Sequence, residues 1–167
     1  HELCDGDYCF DERLLSELEQ KIGQSPQNDK LIVLHLIGSH GPTYYRRYPK
    51  EHKKFVPDCP RSDIQNCSDE ALINTYDNTI AYTDYVLSKI IEQLKIKENE
   101  FTTSMLYISD HGESLGENGL YLHGLPYSIA PDHQTKVPLL LWLPDEFSVS
   151  NKIDKQCIIN NAKVNEY

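Results

Sequence analysis

Asp110-His111 places a carboxylate and an imidazole in succession, followed by Gly112 and Glu113. Where a chain leaves a strand, side chains no longer alternate strictly, so neighbours of this kind can face one ion. Gly112 removes a side chain beside them and permits unusual backbone angles. Oxygen and nitrogen ligands together suit zinc, with manganese and iron inside the same range of ligand softness. Two further histidines keep similar company, His40 in Gly38-Ser39-His40-Gly41-Pro42 and His123 in Tyr121-Leu122-His123-Gly124. The stretch Ser114-Leu115-Gly116-Glu117-Asn118-Gly119 is loop-like and able to fold back over a site. A single Asp-His is more often a capping carboxylate beside a surface imidazole. Three His-Gly pairs next to strand ends outweigh that reading.

The remaining histidines read differently. His35 lies inside an apolar run and reads as a hydrogen-bonded core residue, His52 as a solvated loop residue and His133 as a surface-loop residue. There is no Walker-type phosphate loop and no GxSxG nucleophile elbow. Ser39 and His40 are adjacent, a poor arrangement for a nucleophile and its base, so a serine hydrolase is not expected.

These residues need elements to hold them. Leu14, Leu15, Leu18 and Ile22 recur at helical spacing from Phe10 to Ile22, with Asp11 and Glu12 at the N-terminal end and Gly23 and Pro26 as stops. Leu31–Ile37 is an apolar run that reads as a strand buried on both faces in a parallel sheet. Ser68 is a good N-cap for a helix running to about Lys95, with Leu72, Tyr76, Ile80, Thr83, Leu87, Ile90, Ile91 and Leu94 on one stripe. Ser104–Ser109 and Val137–Leu143 read as two more strands, Pro138 sitting near a start where its missing N–H matters least. Strand and helix in alternation predict an α/β layered domain, whose functional residues gather beyond the carboxyl ends of strands. His40 and Asp110-His111 occupy such positions.

The chain has 167 residues and a formal net charge of −10, a balance that argues against nucleic acid as a partner. Arg46, Arg47, Lys50, Lys53 and Lys54 nevertheless cluster, either as a solvated loop face or as a landing strip for anionic lipid headgroups. No apolar run is long enough for a transmembrane helix, and no signal-peptide pattern is present. Of the five cysteines, Cys4 with Cys9 and Cys59 with Cys67 fit two short disulfide-closed loops, which implies an oxidising compartment. Cys157 is left over, as a buried thiol or with a partner outside this sequence.

Ile37–Tyr45, Asn74–Thr79, Ser109–Gly119 and Tyr121–Tyr127 together resemble the phosphoethanolamine transferases that modify lipid A, a group that includes the mobile colistin-resistance enzymes. The resemblance runs from about Cys4 to Leu143. The Asp-His-Gly-Glu element alone would indicate only the wider alkaline phosphatase and sulfatase superfamily. The resemblance implies an α/β fold, a three-layer α/β/α hydrolase-like domain of the periplasm, of which residues 1–167 are the C-terminal part. It also implies an inner-membrane parent of Gram-negative bacteria with an N-terminal transmembrane bundle. Phosphatidylethanolamine would be the donor and a lipid A phosphate the acceptor, through a phospho-Thr intermediate.

In that family zinc is held by a Glu, the nucleophilic Thr, an Asp and a His. Asp110 and His111 match the last two; His40 and His123 match the pair holding substrate or a second zinc, and Glu113 matches an acidic residue lining the site. The family's Glu and Thr fall on segments before Cys4, so no nucleophile is expected in this chain. Thr43, Thr75 and Thr79 match other family positions. Transfer to core sugars or periplasmic glucans, phosphoglycerol transfer and a non-enzymatic periplasmic module are the competing expectations.

Overall fold

The computed structural model describes residues 3–6, 8–24 and 28–164. The expectation placed on Pro26, as a helix stop, lies outside these residues. In chain order the elements are β1 (Cys4–Asp5), β2 (Tyr8–Cys9), α1 (Arg13–Gly23), α2 (Asp69–Ile96), β3 (Met105–Ile108), β4 (Ser114–Leu115), β5 (Tyr121–Leu122), α3 (Asp132–Thr135), β6 (Leu139–Trp142), α4 (Asp145–Ser150) and α5 (Lys155–Ala162). The chain forms two compact units. One comprises His1–Ile90 with Asp110–Val137, the other Ile91–Ser109 with Pro138–Tyr167. No helix among the described residues is long and apolar enough to cross a membrane.

The first unit holds every residue expected to do chemistry. Ser68 caps α2 as predicted, its Oγ accepting from Ala71 N at 3.2 Å. The buried face of α2 includes Leu72, Thr75, Thr79, Tyr82, Val86 and Ile90. Ile80, expected on the apolar stripe, is exposed instead. Two buried polar residues of the helix, Asn78 and Thr75, meet backbone groups of the long segment before α2. Asn78 Oδ1 accepts from Lys54 N and Phe55 N at 2.7 and 2.9 Å, and its Nδ2 donates to Phe55 O at 2.9 Å. Thr75 Oγ1 accepts from Cys59 N at 2.6 Å. A core of Tyr44, Cys59, Ile64, Ala71 and Leu72 packs beneath, joined by Tyr76, Leu115 and Leu122. Cys4–Cys9 and Cys59–Cys67 are disulfide-bonded, as the spacing suggested. Short helical turns at Tyr44–Arg46, Lys50–His52 and Ile64–Asn66 complete the segment.

Leu31–Ile37 departs from expectation. It forms no ladder, and Leu31 and Val33 are 92% and 81% exposed while Ile32, Leu34 and Leu36 are partly covered. A strand exists only through a partner backbone, and among the described residues none pairs with this run. His35 shares the exposed side of the alternation, so it is not a core histidine. His52 is not solvated either: its ring lies 4.9 Å from that of Tyr82 and 4.4 Å from that of Tyr85.

In the second unit β3 and β6 pair antiparallel, Met105 opposite Trp142 and Ile108 opposite Leu139. Both strands expected here, at Ser104–Ser109 and Val137–Leu143, are present. Leu106, Ile108, Leu139, Leu140 and Leu141 all remain exposed. Cys157 is an exposed thiol, which removes the buried alternative.

Candidate metal centre

Three loops of the first unit bring His40, His111 and His123 together, one ring nitrogen of each lying within 4.8 Å of the others. The rings of His111 and His123 stack with centroids 3.7 Å apart, and His40 meets both edge-on at 5.7 and 5.1 Å.

The loop carrying His40 is held from four sides. Buried Asp11 accepts from Ile37 N and Gly38 N at 2.9 and 2.8 Å. Thr79 Oγ1, on α2, donates to Tyr76 O and so accepts from Ser39 Oγ at 2.7 Å. Arg47 Nε donates to His40 O at 2.9 Å, and Gly41 N donates to Glu113 Oε1 at 3.1 Å. Gly41 sits so close to Leu122 and the Tyr44 ring that a Cβ there would collide with both. Gly112 is under a harder constraint, since a Cβ would run into the carbonyl of His133, and its N–H donates to Gln134 O at 2.9 Å. Gln134 also donates to buried Ser114 Oγ at 2.9 Å, fixing the loop that carries His111.

The third histidine is placed by strand register. β4 and β5 pair antiparallel with Ser114 opposite Leu122. Continuing that register by one residue sets Glu113 against His123, and His123 Nδ1 lies 3.2 Å from Glu113 Oε1. Glu113 is only 6% exposed and also accepts from Tyr44 Oη at 3.2 Å. Burial, and then the charge of Glu113, push the Tyr44 phenol far above its ordinary value, so it is a neutral donor.

Each imidazole therefore has its Nδ1 on an oxygen: His40 on Gly41 O at 2.8 Å, His111 on Gly112 O at 3.0 Å and His123 on Glu113. A carbonyl only accepts, so the proton of a neutral ring sits on Nδ1 and Nε2 carries the lone pair. Metal-ligating histidines are oriented this way, and nitrogen ligands suit zinc. The donor set fits a divalent cation.

Asp110 lies beside this trio. Its carboxylate is 83% exposed, 3.9 Å from His111 Nε2, and its Oδ1 accepts from His111 N at 3.1 Å. His133 is exposed, as expected, on the single turn of α3. The basic segment is partly woven into the fold: Arg46 lies over Tyr8 and Tyr45, Arg47 holds the His40 carbonyl and Lys53 pairs with Asp58 at 2.5 Å. Asp11, Tyr44 and Gln134 carry no sign of their supporting roles in residue type or spacing. Of the three only Tyr44 falls within a motif that had drawn notice.

The sulfatase family profile matches residues 1–162. Phosphoethanolamine transferase EptA of Escherichia coli K12 is 52% identical over 164 residues, covering 98% of this chain and 30% of the relative. Phosphatidylethanolamine transferase Mcr-1 of Escherichia coli is 41% identical over 142 residues, 85% of this chain and 26% of the relative. The soluble domain of lipooligosaccharide phosphoethanolamine transferase A from Neisseria meningitidis superposes with a TM-score of 0.94 at 43% identity, over 99% of this chain and 49% of that one. The chain thus spans about a third or less of the length of these curated relatives. The fold is the α/β fold of the alkaline phosphatase and sulfatase type.

Proposed function

The chain belongs to the sulfatase family, and from that premise we propose that it is part of a zinc-dependent phosphoethanolamine transferase. The donor is phosphatidylethanolamine, the acceptor a lipid A phosphate and the place of work the periplasmic face of a Gram-negative inner membrane. The observation that carries this reading is the convergence of His40, His111 and His123, each with Nδ1 on an oxygen, within a chain 52% identical to a protein named a phosphoethanolamine transferase. The two disulfides favour an oxidising compartment such as the periplasm.

Asp110 and His111 would hold zinc together with a Glu and a Thr supplied outside these 167 residues. His40 and His123 would hold a second ion or the phosphoryl group. Bound zinc lowers the pKa of a coordinated hydroxyl and so makes a nucleophile available near neutral pH. The Thr attacks phosphorus, the bond to the diacylglycerol oxygen breaks, and a lipid A phosphate oxygen then displaces the Thr. His40 and His123 would hold charge on the phosphoryl oxygens or, when protonated, give a proton to the departing alkoxide. Glu113 fixes the ring of His123 for that task. Thr75 and Thr79 are committed to Ala71 O and Tyr76 O, which agrees with a nucleophile from elsewhere. The added amine lowers the negative charge of lipid A and weakens binding of cationic peptides such as colistin.

Diacylglycerol release from a fluorescent phosphatidylethanolamine tests the donor half. The full-length protein should release it and its His123→Ala variant should do so at least about a hundredfold more slowly. The 167-residue chain alone should release none. Equal rates for wild type and variant would remove His123 from the site.

A further inference from the structure

Glu113 has two oxygens, and the structure divides their work. Oε1 takes two donors that belong to different parts of the centre, Gly41 N from the loop carrying His40 and Nδ1 of His123. Oε2 takes the hydroxyl of Tyr44. A carboxylate this deeply buried needs donors on both oxygens, because each lone pair withdrawn from water must be met elsewhere. The terminal torsion of a Glu side chain is soft, so the carboxylate plane is set by its donors and not by its own rotamer.

Tyr44 is itself immobile. It is 1% exposed, meets the Tyr76 ring edge-on at 5.5 Å and 88°, and lies in the core with Cys59, Ile64, Ala71 and Leu72. The absent Cβ of Gly41 is what lets the backbone lie against its ring. A fixed hydroxyl therefore sets the plane of a soft carboxylate, and that carboxylate sets two of the three histidines.

We propose that Tyr44 is a positioning residue for the centre, acting through Glu113 to hold Oε1 on both Gly41 N and His123 Nδ1. This rests on the reading of the centre as a zinc-dependent transferase site, but its first consequence is structural. The Nδ1–H tautomer of His123, with Nε2 as the lone-pair nitrogen, depends on a hydroxyl that bonds to Glu113 and reaches the imidazole only through it.

The experiment uses the full-length protein with Tyr44→Phe, Glu113→Gln and Glu113→Ala. The tautomer of His123 is read from nitrogen spectra of histidine-labelled protein, zinc affinity by chelator competition, and kcat and KM on phosphatidylethanolamine. Tyr44→Phe should leave the melting temperature within a few degrees, mix the two tautomers of His123 and weaken zinc binding by about tenfold. It should lower kcat by a similar factor with KM little changed. Glu113→Gln keeps a carbonyl for Gly41 N and His123 and an amide N–H that can donate to the Tyr44 oxygen. It should therefore retain more zinc affinity and kcat than Glu113→Ala. An unaltered tautomer and unaltered zinc affinity in Tyr44→Phe would overturn the proposal, as would a Gln variant as impaired as the Ala variant. If the tautomer shifts while the wild-type protein transfers nothing, the positioning role stands and the transferase reading falls.

Discussion

At the scale of single residues, the centre depends on what lies behind each imidazole as much as on the imidazoles. Gly112→Ala should be among the most damaging small substitutions. Its methyl would meet the His133 carbonyl, and relief requires moving the backbone that presents His111. Zinc binding by the full-length variant should fall by at least about tenfold, measured by chelator competition; wild-type affinity would show that the loop shifts without consequence. His40, His111 and His123 were legible because a histidine flanked by glycine at a strand end is unusual and chemically pointed. Asp11 and Tyr44 were not, since an acidic residue at a helix start and a tyrosine in a Pro- and Tyr-rich loop have ordinary explanations. Only the fold shows the first accepting from Ile37 N and Gly38 N and the second donating to Glu113. Asp110 lies beside those imidazoles, its exposed carboxylate 3.9 Å from His111 Nε2.

At the scale of elements, α2 serves as a frame for the loops before it. Asn78, fully buried, satisfies Lys54 N, Phe55 N and Phe55 O. Asn78→Ala should strand those groups and lower stability by on the order of 3 kcal/mol, read by denaturant titration; a loss below about 0.5 kcal/mol would mean that water replaces the side chain. The Cys59–Cys67 disulfide closes a short loop against the same helix, and its removal should cost about 2–3 kcal/mol. Burial pushes the phenols of Tyr44, Tyr48 and Tyr82 above the ordinary value of 10.0. Folding therefore favours their protonated forms, and that stability is complete below pH 10 and lost as pH rises beyond it. A melting temperature falling steeply above about pH 10 is expected, and a flat profile to pH 11 would contradict it. The helices were readable because α1 and α2 carry their own periodicity and, in α2, its cap. The Leu31–Ile37 run forms no strand, since composition reports a strand's preference and not the presence of its neighbour.

At the scale of the whole molecule, the apolar residues left uncovered matter most. In the first unit Leu31 and Val33 face solvent, and in the second the β3–β6 pair exposes Leu106, Ile108, Leu139, Leu140 and Leu141. Surfaces of that kind associate. The purified 167-residue chain should bind a hydrophobic dye and elute larger than a monomer in size-exclusion chromatography; a monomer that binds no dye would contradict this. The family match accounts for the motifs better than spacing alone, because the same His-Gly loops would serve any phosphoryl chemistry. The central claim is that His111 and its partners serve phosphoethanolamine transfer to lipid A. Its most direct test is mass spectrometry of lipid A from cells expressing the full-length protein or its His111→Ala variant at matched levels. The account predicts an added mass of one phosphoethanolamine with the wild type and none with the variant. An unchanged lipid A in the wild-type cells, or the same addition in both, would contradict it.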